Sequence, residues 1–338
     1  MILNVGVDVG NSDTKSENTV TPSGFITRGL LPYGADDCLF FNGKYYVPDP
    51  EERFPYKKDK TVDDNMFILT LFAIAKEALF EVSSDLGART KEDIQRAVSG
   101  IDTVNLGVGL PPAHCSVLGE KTVAYYKDRM GSGVSFSYNG IKFSFRLDDC
   151  RFFPQDWAAI VTHSPDSDES VVKKYSSYYA VDIGGYTVDV VPIMNRKPAA
   201  ARCASLDMGI LCMYSELVKS IEQDHGKTVK PSVIEDVLRG KPTILPGNIR
   251  EEIFAYAREW SNNIIRSLAE AGVFFDSYPV VFLGGGAEAF RECIKENPAI
   301  QLCEFIFGAN VNAMGYTKLL QLYRLREKEQ GERGGATP

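Results

Sequence analysis

Two short segments of this chain, Asp8-Val-Gly-Asn-Ser-Asp-Thr-Lys15 and Asp182-Ile-Gly-Gly-Tyr-Thr-Val-Asp189, repeat one pattern. Each sets an aspartate at the end of an apolar, β-branched run, then glycine and small polar residues, then a second strand. One Asp-x-Gly turn alone reads as an ordinary tight hairpin with an Asx-type turn. Two of them at strand ends, the second continuing as Gly-Gly-x-Thr-x-Asp, point to loops built to approach phosphate. Two loops so far apart in sequence, facing one another, would grip the phosphates of one nucleotide from opposite sides. A third element, Phe282-Leu-Gly-Gly-Gly-Ala287, supplies a glycine surface of the kind needed beside a nucleoside.

The chemistry asked of such loops is specific. Phosphate binding needs backbone N–H groups aimed at one spot, hence residues without obstructing side chains. Gly10, Gly184 and Gly185 permit that approach, and Asn11, Ser12 and Thr187 add side-chain donors. Lys15 would place a positive charge on a phosphate oxygen. Asp8 and Asp182 suit Mg²⁺, which takes oxygen ligands, keeps several waters and shares substrate phosphates. The run Gly284-Gly-Gly286 follows an apolar strand and is otherwise a close-packed strand-to-helix turn. A β-branched residue at Gly285 is expected to exclude the nucleoside, by steric overlap and by forbidding a positive φ there. The dinucleotide fingerprint G-x-G-x-x-G is not met, because Ala289 stands where its last glycine belongs.

The chain has 338 residues, enough for two domains or one large one. Its net charge of −8 gives no electrostatic reason for direct, non-specific DNA binding. Seven scattered cysteines without a C-x-x-C pair read as reduced thiols, buried as small hydrophobes. Three histidines, His114, His163 and His225, make no legible metal site. The chain opens directly on a strand pattern and holds no apolar run of about 20 residues, so neither a secretory signal nor a membrane span is expected. A cytoplasmic protein is expected.

Along the chain, residues 2–9 read as a buried strand with 14–20 returning as its hairpin partner. Asn42-Gly43 and Asn139-Gly140 mark hairpins within 39–47 and 134–147. Apolar residues at helical spacing predict a long helix over 63–82. Residues 106–110 read as a strand ended by Pro111-Pro112, and a short helix follows Pro154. Residues 163–170 form a polar loop and the expected domain boundary. Strands are then expected at 177–183 and 186–193, with Asn195-Arg196 as a turn. Helices are predicted over 208–223, 231–238 and 248–271, a strand at 280–283, and a final helix over 312–328. Leu319, Leu320, Tyr323 and Leu325 on that helix are expected to pack on the second domain. Each half thus opens with an Asp-x-Gly hairpin, a weak duplication at domain scale. The expected architecture is two mixed α/β lobes, 1–165 and 171–328, with a cleft between them and a disordered tail over 330–338.

The order Asp8-x-Gly…Lys15, Pro154-Gln155, Asp182-x-Gly-Gly-x-Thr-x-Asp189, Gly284-Gly-Gly-Ala287 and Ala309-Asn-Val-Asn-Ala-Met-Gly315 resembles the actin, heat-shock chaperone and sugar-kinase ATPase superfamily. Within it, the chain resembles bacterial actin-like proteins of the ParM/StbA plasmid-segregation type over about residues 1 to 328. The resemblance implies an α/β, two-lobed actin-like fold, each lobe a mixed sheet flanked by helices, with ATP and Mg²⁺ in the cleft. It implies that Asp8, Gly10, Asn11, Ser12, Asp13, Thr14 and Lys15 form the first phosphate loop. Asp182, Gly184, Gly185, Tyr186 and Thr187 form the second, and Gly284, Gly285, Gly286 and Ala287 the adenosine motif. Asp8 and Asp182 hold the metal, and Asn310 and Gly315 lie at an inter-domain connection. Gln155, which from its position alone is a helix N-terminal residue after Pro154, takes the role of orienting the attacking water, as glutamine does in other NTPases. Asn11 departs from the hydroxyl residue more common at its position. The implied activity is ATP hydrolysis coupled to head-to-tail polymerisation, with DNA segregated through a small DNA-binding adaptor. A small-molecule kinase of the same superfamily, or a nucleotide-binding scaffold with little turnover, are the alternatives.

Overall fold

A computed structural model describes residues 1–84, 90–163, 167–308 and 310–334. The chain divides into two compact units, the first made of Met1–His163 and the segment from Asn310 onward, the second of the residues between.

The first unit is a nine-stranded sheet made of β1 (Ile2–Val9), β2 (Asp13–Lys15), β3 (Val20–Pro22), β4 (Gly24–Arg28), β5 (Leu39–Phe41), β6 (Lys44–Arg53), β7 (Thr103–Leu110), β8 (Val134–Tyr138) and β9 (Ile141–Pro154), in the order β3-β2-β1-β7-β9-β8-β5-β6-β4. β1, β7 and β9 run parallel at its centre, and the hairpin partner of β1 is the short β2 alone. Both Asn-Gly turns form as expected: Asn42 and Gly43 have φ of 49° and 75°, Asn139 and Gly140 of 49° and 74°. Positive φ at both central residues gives a turn whose twist matches the flanking strands.

Strand alternation decides what covers each face of this sheet. Leu3, Val5 and Val7 of β1 and Val104, Leu106 and Val108 of β7 point into one core, closed by the helix Asn65–Ser84 through Ile68, Leu71, Phe72 and Ala75. The opposite face of the same strands carries Asn4, Gly6, Gly107 and Gly109, and the final helix, Val311–Gly334, lies against it. A Cβ at Gly6 would sit 2.2 Å from the Ala313 carbonyl, and one at Gly109 would sit 1.9 Å from the Tyr316 hydroxyl. Only glycine allows so close an approach of helix to sheet.

That contact corrects the expected division of the chain. The final helix belongs to the first unit, where Tyr316 and Leu320 pack with Phe153 and Ala158. Arg324 pairs with Asp148 of β9 at 2.9 Å and Glu327 with Arg151. Tyr323 and Leu325 stay exposed. The helix also runs on to Gly334, so residues 330–334 of the expected tail are helical; the rest of that tail lies outside the described residues. Gln330, Glu332 and Arg333 of this stretch have high helix propensity, and the helix continues through Gly331 despite its cost.

The second unit holds β10 (Tyr178–Ile183), β11 (Val188–Met194), β12 (Lys197–Pro198), β13 (Ala204–Leu206), β14 (Val280–Leu283) and β15 (Cys303–Ile306), in the order β12-β11-β10-β14-β15 with β13 paired to β11. Helices Ile210–His225, Pro231–Leu238 and Gly247–Glu270 close its core through Leu217, Ile221, Ile264 and Leu268 against Val181, Ile183 and Phe282. Among the described residues no helix is long and apolar enough to cross a membrane.

Candidate functional site

The expected first phosphate loop is the turn from β1 to β2, with Asp8 opposite Lys15 and Val9 opposite Thr14. Three of its carbonyl oxygens, those of Val9, Gly10 and Ser12, accept from donors of the same unit. Lys60 Nζ donates to the Val9 oxygen at 2.5 Å, Ser23 Oγ to the Gly10 oxygen at 2.7 Å, and the Ser23 N–H to the Ser12 oxygen at 3.0 Å. A trans peptide sets its N–H opposite its carbonyl. The N–H groups of Asn11 and Asp13 therefore face away from these donors, as an anion-binding turn requires, whereas the hairpin register turns the Gly10 N–H toward the Asp13 carbonyl. Ser12 hydrogen-bonds Asp13 at 2.9 Å, and Thr14 is 1% exposed with its hydroxyl 3.0 Å from that of Ser23. The expected contact residue Thr14 thus has its hydroxyl inside the hairpin.

Gln155 follows β9, whose last residues run beside those of β7. Its N–H is held by the Leu110 carbonyl at 2.9 Å, and its Nε2 donates to Asp8 Oδ1 at 2.9 Å. The fold thereby joins two residues singled out far apart in the sequence. The next residue, Asp156, is fully buried with φ 62° and ψ −52°, and Trp157 N–H reaches the Gln155 carbonyl at 2.5 Å. This is a γ-turn with positive φ at its centre, a rare and strained conformation for a residue with a side chain. Asn312 on the final helix accepts the Asp156 N–H at 2.9 Å. Of the expected inter-domain pair, Asn310 donates to the Glu17 carbonyl at 3.1 Å and Gly315 abuts the Ala158 backbone, both within the first unit.

The second loop connects β10 to β11. The carbonyls of Gly184, Gly185 and Tyr186 accept from the N–H groups of Ile210 at 3.0 Å, Leu211 at 2.7 Å and Gly209 at 2.9 Å, at the start of helix Ile210–His225. The Thr187 carbonyl accepts from Gly184 at 2.9 Å. By the same peptide geometry, the N–H groups of Gly185, Tyr186 and Thr187 point away from that helix. Thr187 Oγ1 donates to Asp189 Oδ2 at 2.9 Å. Burial, chiefly, and the nearby Asp182 and Asp207 charges push the Asp189 carboxyl up to about 6, against hydrogen bonds from Ser205 and Thr187.

The glycine run closes on this loop. Gly284 has φ 88°, and a Cβ there would sit 2.0 Å from Asp182 Oδ1. Gly286 packs on Ile183, and Ala287 is buried. Gly285 instead has open space around it and begins the short helix Gly285–Ala289. The need for positive φ therefore falls on Gly284, one residue before the position expected.

Three groups escaped sequence reading. Ser23 and Lys60 hold the first loop, and Asn312 holds the turn after Gln155. Ser23 carries no motif, and Lys60 lies in the charged run Lys57-Lys-Asp-Lys60, which reads as surface. Asn312 lies in the segment 309–315, where the resemblance gave roles only to Asn310 and Gly315.

The family profile for the C-terminal part of MreB-like archaeal actin homologues matches residues 180–296, the stretch that holds the second loop and the glycine run. Comparison with the curated proteins finds no match. Among solved structures the chain is similar to the actin-like protein Alp7A, at 14% identity over 99% of this chain and 100% of that one, TM-score 0.72. It is similar to a 15-stranded ParM filament from Clostridium botulinum, at 17% identity over 95% and 100%, TM-score 0.70. An archaeal actin homologue in complex with ADP aligns at 17% identity over 94% and 99%, TM-score 0.67. Two helix-flanked sheets and matches that span whole chains define the class: this is a protein of the two-lobed actin-like fold. The likeness to actin-like ATPases drawn from the motifs is borne out at that level.

Proposed function

We propose that this chain is an actin-like ATPase: it binds ATP–Mg²⁺ through its two phosphate loops, polymerises head to tail, and hydrolyses ATP within the filament. One observation carries the reading. In both turns most carbonyls are taken by donors of their own unit, which leaves neighbouring N–H groups turned away from those donors. That arrangement serves an anion and has little other use.

Gln155 orients the attacking water, and its amide is already held at Asp8. Phosphoryl transfer leaves the protein mainly positioning and electrostatics to perform, which suits a neutral amide fixed by a strained turn. Asp8 and Asp182 are all-oxygen donors at the ends of β1 and β10. They fit Mg²⁺, which takes one or two carboxylates and fills its shell with water and phosphate. The ion neutralises phosphate charge when bound. Gly284 to Ala287 receive the adenosine.

The actin-like fold and the filament formed by the similar Clostridium botulinum ParM support the polymerisation part of this reading. Unlike faces of identical subunits meet, and a rotation that does not close gives an open helix. Loss of the γ-phosphate removes contacts that favour the assembling form, so hydrolysis destabilises the polymer. In the ParM-like reading the filament is cytoplasmic and moves DNA through a small DNA-binding adaptor. Light scattering and phosphate release measured together test the proposal. ATP-dependent scattering with phosphate release lagging assembly supports it, and acceptor-dependent ADP formation without polymer replaces it with a small-molecule kinase.

A further inference from the structure

One strand in the interior of the first sheet keeps part of an edge. β1 pairs with β7 along Ile2–Val7, but on its other side β2 meets only Asp8 and Val9 before the chain turns away into β3. Two hydrogen bonds show which peptide groups are left there. The Asp102 N–H, in line with β7, reaches the Met1 carbonyl at 3.3 Å, so the odd-numbered residues of β1 face β7. The Gly6 N–H points the other way and is taken at 2.9 Å by Thr317 Oγ1 of the final helix. With a period of two, the N–H and C=O groups of Ile2 and Asn4 face the open side, where no strand pairs with them.

That stretch of edge lines a cavity of about 280 Å³. The helix Asn65–Ser84 bounds it on one face of the sheet and the final helix on the other, with the turn at Glu17 and Asn18 between them. Glu77 and Glu81 line it from the first helix, and Glu17, bonded to Thr317, lines it beside the second. Glu77 is 7% exposed and is held by the Asn18 N–H at 2.6 Å and Nδ2 at 2.9 Å. The neighbouring cations are turned elsewhere: Lys76 pairs with Asp37 at 2.5 Å, and Lys318 donates to the Thr162 carbonyl at 3.3 Å. Among the described residues neither Glu17 nor Glu77 forms an ion pair. Burial, then the Glu77 charge, push the Glu17 carboxyl up, against the Thr317 hydrogen bond and the Lys318 charge. Open backbone donors and acceptors beside uncompensated carboxylates suit a guest that brings both a backbone and positive charge.

We propose that this edge is a docking site for an extended segment of a partner protein that carries two adjacent basic residues. The segment adds to β1 as a strand, its peptide groups bonding to those of Ile2 and Asn4. Successive side chains of a strand point to opposite faces of the sheet. One basic residue thus reaches Glu77 and Glu81, and the next reaches Glu17. The backbone contacts supply affinity, and the carboxylates on both faces select the charge pattern. The inference stands apart from nucleotide binding and assembly.

The probe is the acetylated, amidated peptide Thr-Val-Arg-Lys-Val-Thr, added to the ¹⁵N-labelled full chain without nucleotide. Saturable shifts are expected, largest at the Ile2 and Asn4 amide signals. Glu17→Gln, with its melting temperature unchanged, should weaken binding about tenfold, and so should glutamines in place of both basic residues of the peptide. N-methylation of the peptide's Arg and Lys backbone nitrogens keeps both charges and should also cost about tenfold. Absence of shifts at Ile2 and Asn4 overturns the inference, as does undiminished binding by Glu17→Gln or by the N-methylated peptide. The same shifts with spermidine would make this a pocket for small cations, and shifts that grow with protein concentration in the absence of peptide would give the edge to a second copy of the chain. Either result overturns the proposal.

Discussion

The two turns proposed as phosphate loops are held in place by different means. The first is held by side chains: Ser23 and Lys60 take its carbonyls, and Gln155 takes the carboxylate of Asp8. The second is held by backbone, its carbonyls capped by Gly209, Ile210 and Leu211 at the start of a helix. A loop fixed by side chains can be retuned one residue at a time and still fold. A loop fixed by backbone resists most side-chain changes and fails where a Cβ cannot fit. The contrast predicts where substitutions strike folding and where they strike chemistry.

The largest effect is expected in the glycine run that packs against the strand leading into the backbone-held loop. Gly284→Val combines a forbidden φ with overlap on Asp182, and should destabilise the second unit by roughly 2–4 kcal/mol and abolish ATP binding. Gly285→Ala, in open helical space, should leave stability equal or raise it by about 0.5–1 kcal/mol. Denaturant melts of both variants decide the point. Equal melts would mean that the glycine run is not a close-packed turn.

In the side-chain-held loop the effect should fall on turnover. Gln155→Ala and Asn312→Ala are each expected to lower kcat by about 10–100-fold with ATP affinity nearly unchanged, the first by removing the water-orienting amide, the second by releasing the turn behind it. The double variant should lose little more than either single one, because the two act as a unit. Additive losses in single-turnover phosphate release would separate Asn312 from Gln155.

The smallest effect is expected at Asp189. Its carboxyl is raised in the folded chain to about 6, so the folded state binds the proton more tightly than the unfolded one. That contribution to stability is fully present below about pH 4 and is lost as pH rises through about 6. Asp189→Asn keeps an acceptor for Thr187 without the buried charge. It should therefore match wild type near pH 4 and exceed it by about 1–2 kcal/mol at pH 8. A stability difference that does not change with pH would place the Asp189 charge in solvent.

The same contrast explains what sequence could and could not reveal. Asn42-Gly43 and Asn139-Gly140 were legible because their backbone demands are local. The strand expected at 186–193 begins at Val188, because residues 184–187 are spent in the turn capped by the next helix. β4 and β15 are short and only partly buried, so no alternation marks them. The placement of the final helix was written in Gly6, Gly107 and Gly109, whose meaning appears only once β1 and β7 are paired. Of the site, the glycines and aspartates were legible as motif. Ser23, Lys60 and Asn312 were not, since they act from elements remote in sequence.

The central claim is that nucleotide gates assembly, and a ligand shifts assembly only by its differential affinity for the assembling form. Electron microscopy of the stained protein with ATP–Mg²⁺, with ADP–Mg²⁺ and without nucleotide tests it most directly. The account predicts abundant filaments with ATP–Mg²⁺, few or short ones with ADP–Mg²⁺, and none without nucleotide. Equal filaments in all three conditions, or none in any across physiological salt and crowding, would contradict it.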